Sequence, residues 1–241
     1  GYRLAEEAGH TIGPLRPSLV PLACAGEDAA DCARMAGLDL RNIGFSVYDT
    51  VRRRAVYEDF GELSFTRHSL AGPVVLSASA CLRDMAPGRF RADIDLKPAL
   101  SPEKLDARLL RDWTAAPQRP FAQALEKLLP RNLIPVAVRR SGIAPQTSCS
   151  DITRAARRAF GEELKHFSFR IEGFRPIEEA IVTAGGVSVR EIDPRSMQSK
   201  KVPGLYIAGE LLDVDAYTGG YNLHIAFATG RLAGESVQPQ A

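Results

Sequence analysis

Pro203-Gly204-Leu205-Tyr206-Ile207-Ala208-Gly209-Glu210, followed by Thr218-Gly219-Gly220-Tyr221-Asn222, decides how this chain is read. Leu205 to Ala208 is a short apolar run with strand character, and it ends on a glycine–acid pair. The Gly-Gly turn then opens a helix rich in small residues, which runs to Gly234. A strand that delivers an acid, and then a helix start opened by glycines, suits a polar, anionic cofactor. Unpaired amides and the helix dipole both favour negative charge at such a point. The usual companion is a Gly-x-Gly-x-x-Gly turn after a first strand, and the 241 residues contain none.

Upstream, the pattern changes. Ile43, Phe45 and Val47 alternate with Asn42, Gly44, Ser46 and Tyr48, a period of two. Arg52-Arg53-Arg54 makes a turn, and Val56–Phe60 and Glu62–Phe65 supply further strand, interrupted by Gly61. Phe90, Ala92, Ile94 and Leu96 alternate with Arg91, Asp93 and Asp95, and Phe167, Phe169 and Ile171 repeat the device. This is antiparallel, hairpin-like material. Gly72-Pro73 before Val74–Leu82 predicts a tightly packing helix, with a buried strand as the alternative.

Ser101-Pro102-Glu103 is a helix start, with Leu105, Leu109 and Leu110 as its apolar face. A second helix covers Phe121 to Leu129 and stops at Pro130. Ser150-Asp151 caps a third, with Ile152, Ala155, Ala156, Ala159 and Phe160 on one side. Residues 1–22 read as a helix stopped by Gly9 and then an extended segment, Pro17 to Leu22. Residues 24–37 read as a loop, and Ala180–Thr183 as a last short strand. A β-rich block and a helical block thus lie between two segments that look like parts of one α/β domain. The chain opens in a helical pattern without Met, which reads as a start in mid-helix.

Composition narrows the classes. Hydrophobic residues make up 45% and charged residues 25%, as in globular proteins. Thirty-one basic residues against twenty-nine acidic ones give a net charge of +2, too balanced for a dedicated nucleic-acid binder. Cys24, Cys32, Cys81 and Cys149 form no Cys-x-x-Cys pair and no zinc spacing with histidine; they read as reduced, with Cys81 buried. No apolar stretch approaches the ~20 residues of a membrane helix.

Taken together, Ile181–Val187, Ser199-Lys200, Gly204–Asp215 and Thr218–Leu223 closely resemble the BaiN-type, or aminoacetone-oxidase-like, NAD(P)/FAD-dependent flavoproteins. The likeness extends through Thr11–Leu22, Phe60–Leu63 and Gly72-Pro73, and so spans the chain. It implies a mixed α+β and α/β fold: the C-terminal part of a Rossmann-like FAD-binding domain, carrying an inserted antiparallel β-barrel-like domain and a helical subdomain. On that likeness residues 1–17 end the first FAD segment, 18–184 form the insert and 185–241 are the return. The first, dinucleotide-binding unit would be missing.

The same resemblance implies the site. Gly185, Gly186, Gly209, Glu210, Gly219, Gly220, Tyr221, Asn222 and Leu223 would bind FAD. Glu210 would accept ribityl hydroxyls, and the amides of Gly220, Tyr221 and Asn222 would face the flavin O2/N1 edge. Asp213 or Asp215 would order the loop. His224 stands where relatives more often carry Gln, and His68 is displaced by one position, so neither is assigned a catalytic role.

The expected activity is a cytoplasmic oxidoreductase, with NAD(P)H reducing the flavin and a small unsaturated or carbonyl-type molecule receiving hydride. No nucleic acid, membrane or metal is expected. Two rivals stand beside it: an inactive fragment or stand-alone insert with an exposed apolar face, and an RNA-modifying flavoprotein.

Overall fold

A computed structural model describes residues 1–237; the last four residues of the expected return segment, 238–241, lie outside the described residues. In chain order the elements are α1 (Tyr2–Glu7), β1 (Ile12–Ser18), β2 (Leu22–Cys24), α2 (Gly26–Arg34), β3 (Asp39–Asp49) and β4 (Arg54–Phe65). There follow β5 (Ser69–Ala71), α3 (Pro73–Cys81), β6 (Phe90–Asp95), α4 (Pro102–Thr114), α5 (Phe121–Ala124) and α6 (Ile134–Ser141). The chain ends with α7 (Arg154–Lys165), β7 (Phe167–Phe174), β8 (Val182–Val187) and α8 (Tyr221–Ser236).

The chain forms two compact units. One comprises residues 1–21, 76–81 and 174–241; the other comprises 22–75 and 82–173. The backbone therefore passes between them four times, after Pro21, Val75, Cys81 and Gly173.

The second unit is built on a closed antiparallel barrel in the order β2-β5-β4-β3-β6-β7. This is the barrel-plus-helices class that the sequence implies. Alternation explains its interior. Phe45 stands opposite Ile94, Val47 opposite Ala92, and Ala92 opposite Phe169, and all of these are buried. The expected break at Gly61 is absent: β4 is continuous, and of the two irregularities in its ladder with β3 the one opposite Gly61 falls on the partner, between Leu40 and Ile43, and the other near Val56, facing Val47 and Tyr48. A Cβ on Gly61 would lie 2.7 Å from Val74, so this glycine makes room for a neighbour and does not end a strand.

The helices correct several expectations. Residues 24–37 are not a loop: Gly26–Arg34 is helical and buries Asp31 and Cys32. The segment after Gly72 is the helix, not the strand. Ser101 caps α4 by accepting from Lys104 N at 3.3 Å, but Leu110 is exposed and Trp113 completes the buried face. The cap of α7 is Thr153, which accepts from Ala156 N at 3.2 Å; Ser150 and Asp151 belong to a preceding 3₁₀ turn. Ala155 and Ala159 face outward, and the buried face is Arg157, Phe160, Gly161 and Leu164. Arg157 can be buried because Asp106 accepts from its Nε at 2.8 Å. Phe121 packs edge-on to Trp113 and Phe160, with centroids 5.8 and 5.2 Å away.

A charged cluster ties α2 to α6 and the barrel. Asp31 is fully buried and accepts from Arg34 Nη1 at 2.9 Å, from Arg140 Nε at 2.8 Å, and from Arg139. Arg140 also donates to Ser168 O at 2.7 Å, and its guanidinium lies 4.3 and 4.5 Å from the ring centres of Phe167 and Phe169. Nearby, the thiol of Cys24 is pushed well up, first by its hydrogen bond with Cys32 and then by burial, and stays neutral.

In the first unit β1 and β8 form a two-stranded antiparallel ladder. Ala5, Val187, Ile192, Met197, Ile207 and Leu212 make its core, with Leu232 and Ala233 of α8 packed against it. Leu205–Ala208 is not a strand but a single bridge, Gln198 to Tyr206. The expected strand at 180–183 instead begins at Val182 and runs through both glycines to Val187.

Candidate functional site

The ladder of β1 and β8 positions the loop that opens α8. Pairing of Gly13 with Gly186 brings backbone against backbone. A Cβ on Gly185 would lie 2.2 Å from Pro14 O, and one on Gly186 would lie 2.6 Å from Leu211 O. These two buried glycines permit that three-chain crossing, and Asp213 N continues it by donating to Val187 O at 2.9 Å.

Gly209 follows with a φ of +68°, opens a 3₁₀ turn, and donates to Thr229 Oγ1 of α8 at 3.0 Å. Glu210 is exposed, while its carbonyl accepts from Tyr2 Oη at 3.2 Å. Burial, and then the charge of Glu210, push the Tyr2 phenol up, so it remains a donor. Asn222 closes the next loop on itself, accepting from Ala216 N and donating to Ala216 O, both at 2.9 Å. Ser77 reaches Thr218 at 2.9 Å. Cys81, expected to be buried, is half-buried with its sulfur 3.3 Å from Tyr217 Oη.

Gly219 and Gly220 have φ of +108° and +91°, conformations that only glycine adopts without strain. The first α8 amide to bond within the helix turn is His224, which donates to Gly220 O at 2.9 Å. No side chain caps the helix, so the amides of Tyr221, Asn222 and Leu223 are free donors at the positive end of a sixteen-residue helix. A Cβ on Gly220 would meet nothing within 4 Å, while one on Gly219 would lie 3.6 Å from the Tyr221 ring, so the turn is open on the Gly220 side. Tyr221, Leu223 and Phe227 are 61%, 59% and 72% exposed, and Leu223 and Phe227, one turn apart, share an apolar face of the helix. The arrangement fits a flat, partly apolar ligand with an electron-rich edge.

Arg16 adds a group that the pattern did not single out. It shares a strand face with Ser18, whose hydroxyl donates to Asp215 Oδ2 at 2.6 Å. Arg16 Nη2 lies 3.9 Å from Asp215 Oδ1, while Nη1 is buried and has no hydrogen-bond partner.

His10, Glu191 and Ser199 mimic a hydrolytic triad, with contacts of 3.0 Å (Nδ1 to Glu191) and 2.8 Å (Nε2 to Ser199). Ser199 Oγ already accepts from Lys201 N at 3.0 Å and Val202 N at 2.9 Å. Its proton therefore goes to His10 Nε2, and Nδ1–H goes to Glu191. A buried hydroxyl with both lone pairs engaged is no nucleophile; this is a pin for the chain after α1. Lys201, then Thr11, hold the Glu191 carboxyl down to about 2.

Because an unfolded glutamate titrates near 4.3, the stabilisation from Glu191 is present above that value and disappears as pH falls toward its folded pKa. Glu191→Gln is thus expected to unfold more easily at neutral pH. Its deficit should shrink between about pH 5 and pH 2, read from denaturant midpoints. A deficit independent of pH would exclude this account.

His224 and His68 are both exposed, and no ligand role is built around either. Among the described residues there is no cluster of His, Cys, Asp and Glu suited to a metal, and no helix long and apolar enough to cross a membrane.

The match to known proteins falls on the barrel and helices just described: residues 16–182 fit the model of the HI0933-like protein barrel and H2TH domain. The chain belongs to this family. Among its curated relatives, a 3-dehydro-bile acid delta(4,6)-reductase of Clostridium scindens is 30% identical over 98% of this chain and 57% of its own length. A ribosomal RNA dihydrouridine synthase of Escherichia coli is 30% identical over 95% of the chain and 54% of its own length. The dihydrouridine synthase of Haemophilus influenzae is 28% identical over the whole chain and 56% of its own length. The chain therefore spans little more than half the length of the curated relatives it matches, and these relatives are named as enzymes.

Proposed function

We propose that this chain carries part of the flavin site of a reductase, with FAD as cofactor and NAD(P)H as reductant, acting on an unsaturated or carbonyl-bearing organic anion. The observation that carries the reading is the start of α8: two glycines at positive φ, three free amides and open space beside Gly220. On this reading residues 18–184 are an insert between two segments of a Rossmann-like FAD domain. Gly185 and Gly186 hold the re-entering strand, and Gly209 lets backbone approach the cofactor. Glu210 accepts from ribityl hydroxyls. The amides of Tyr221, Asn222 and Leu223 favour the edge where negative charge builds on reduction, a contribution of about 0.3–2 kcal/mol depending on burial.

When bound, the flavin supplies hydride transfer, while the protein orients the partners and excludes water. The names of the relatives, a bile acid reductase and dihydrouridine synthases of ribosomal RNA, support hydrogen addition to an unsaturated, negatively charged molecule. The protein works in the cytoplasm on a small molecule, without nucleic acid or membrane.

A second reading, an RNA substrate, draws on the two dihydrouridine synthase relatives and on one surface. At the β3–β4 turn Arg53 and Arg54 are exposed, as is Arg83 before β6, and none makes an ion pair among the described residues. Thr50 N donates to Arg89 O at 3.0 Å and Arg52 lies 3.5 Å from Asp84, so the two segments are neighbours. RNA retention falling steeply with salt would favour this reading.

The test of the first reading is a visible absorption spectrum of the purified chain, beside a version lengthened at its amino end to match the relatives. Bound flavin is expected in the longer protein and is expected to disappear in Gly220→Val, which forces a side chain into the open space at a glycine-only φ. Flavin absent from both proteins overturns the reading.

A further inference from the structure

We infer that Arg16 is the anion anchor of the substrate, a specificity-determining residue that receives a carboxylate or phosphate oxygen beside the loop opening α8. The inference rests on the reductase reading and adds to it the group that recognises the substrate's charge. Three observations meet at Arg16.

The guanidinium is misfit where it stands. Its Nη1 is buried without a partner, and no other buried side-chain nitrogen or oxygen among the described residues lacks one. A buried charged donor without an acceptor is unfavourable, so an arriving acceptor is drawn to it. The side chain as a whole is 27% exposed, so a turn of the guanidinium brings Nη1 to an oxyanion, which its planar fork suits better than a lysine would.

The nearest carboxylate does not satisfy it. Asp215 gives Oδ2 to Ser18 at 2.6 Å and stands 3.9 Å from Arg16 Nη2, outside hydrogen-bond range. Asp215 keeps the guanidinium oriented and leaves its remaining donors free.

The location is that of the candidate site. Arg16 pairs in register with Ala184, directly before Gly185 and Gly186. Asp215 is followed at once by Ala216, which Asn222 of α8 clamps through two bonds of 2.9 Å. An anion held by Arg16 therefore lies against the loop that ends in the three free amides.

The experiment compares ligand pairs that differ in charge: cholate against its methyl ester, and uridine 5′-monophosphate against uridine. Binding to the 241-residue chain is read by calorimetry at fixed ionic strength, with Arg16→Gln and Arg16→Lys alongside. The wild-type chain is expected to prefer the charged member of at least one pair by about 10- to 100-fold. Arg16→Gln is expected to erase that preference while leaving affinity for the neutral member unchanged, and Arg16→Lys to retain part of it. The cholate arm identifies a carboxylate ligand and the uridylate arm a phosphate. Unchanged affinity for the neutral member also shows that Arg16→Gln is folded. A preference that survives in Arg16→Gln, or no charge preference in the wild type, overturns the inference. Failure of the reductase reading appears separately, as absence of flavin from the lengthened protein.

Discussion

Asp31→Ala is expected to lose about 3–5 kcal/mol of stability, because it leaves buried guanidinium groups without their carboxylate. Arg140 is the chief casualty: it is only 12% exposed, and Asp31 accepts from its Nε at 2.8 Å. Asp28 at 3.2 Å and Glu163 at 3.6 Å soften the loss but do not replace the bond. For a domain of this size the midpoint of thermal unfolding falls by roughly 6–20 °C. Arg34→Ala is the control. Arg34 also bonds Asp31 at 2.9 Å, but it is half-exposed, so its removal costs about 1 kcal/mol or less. Equal losses in the two variants would show that the cluster is not organised around the buried carboxylate.

Gly185→Ala is expected to destabilise the first unit by about 4 kcal/mol, combining left-handed strain with overpacking. Its φ is +88°, and the added methyl would stand 2.2 Å from Pro14 O, which is backbone and cannot swing away. Relief requires β1 to separate from β8, which would also displace Arg16 and the loop before α8. Gly173→Ala offers the contrast: it has negative φ and nothing within 4 Å, and should cost less than about 1 kcal/mol. Hydrogen exchange of the β1 and β8 amides measures the separation. Protection equal to wild type in Gly185→Ala would refute it.

The parts of the fold legible in sequence were those with a strict local period. Ile43, Phe45 and Val47, or Phe90, Ala92 and Ile94, alternate because one side of each strand faces the barrel interior, and that needs no knowledge of the partner. Elements whose buried face depends on distant charge were not legible. Residues 26–34 look too polar for a packed helix until Arg139 and Arg140, more than a hundred residues away, neutralise Asp31. Arg157 marks the buried side of α7 only because Asp106 meets it. Leu205–Ala208 shows the converse: apolar content fixes that a segment is covered, not that a neighbouring strand exists to pair with it.

At the site, the glycines at 209, 219 and 220 were readable because positive φ has few other occupants. Arg16, between Pro14 and Pro17, was not, since its meaning lies in a contact with Asp215 that the chain makes two hundred residues later.

The four crossings between the compact units bear on how such a protein can be inherited. With residues 76–81 of α3 belonging to one unit and the flanking stretches to the other, a pair of breakpoints around 22–173 removes the barrel unit only together with that piece of its companion. Recombination would have to move residues 76–81 with the barrel, or leave a helix cut in two. The insert is therefore expected to carry a piece of its host wherever it goes, and to settle only in hosts that can pack that helix end.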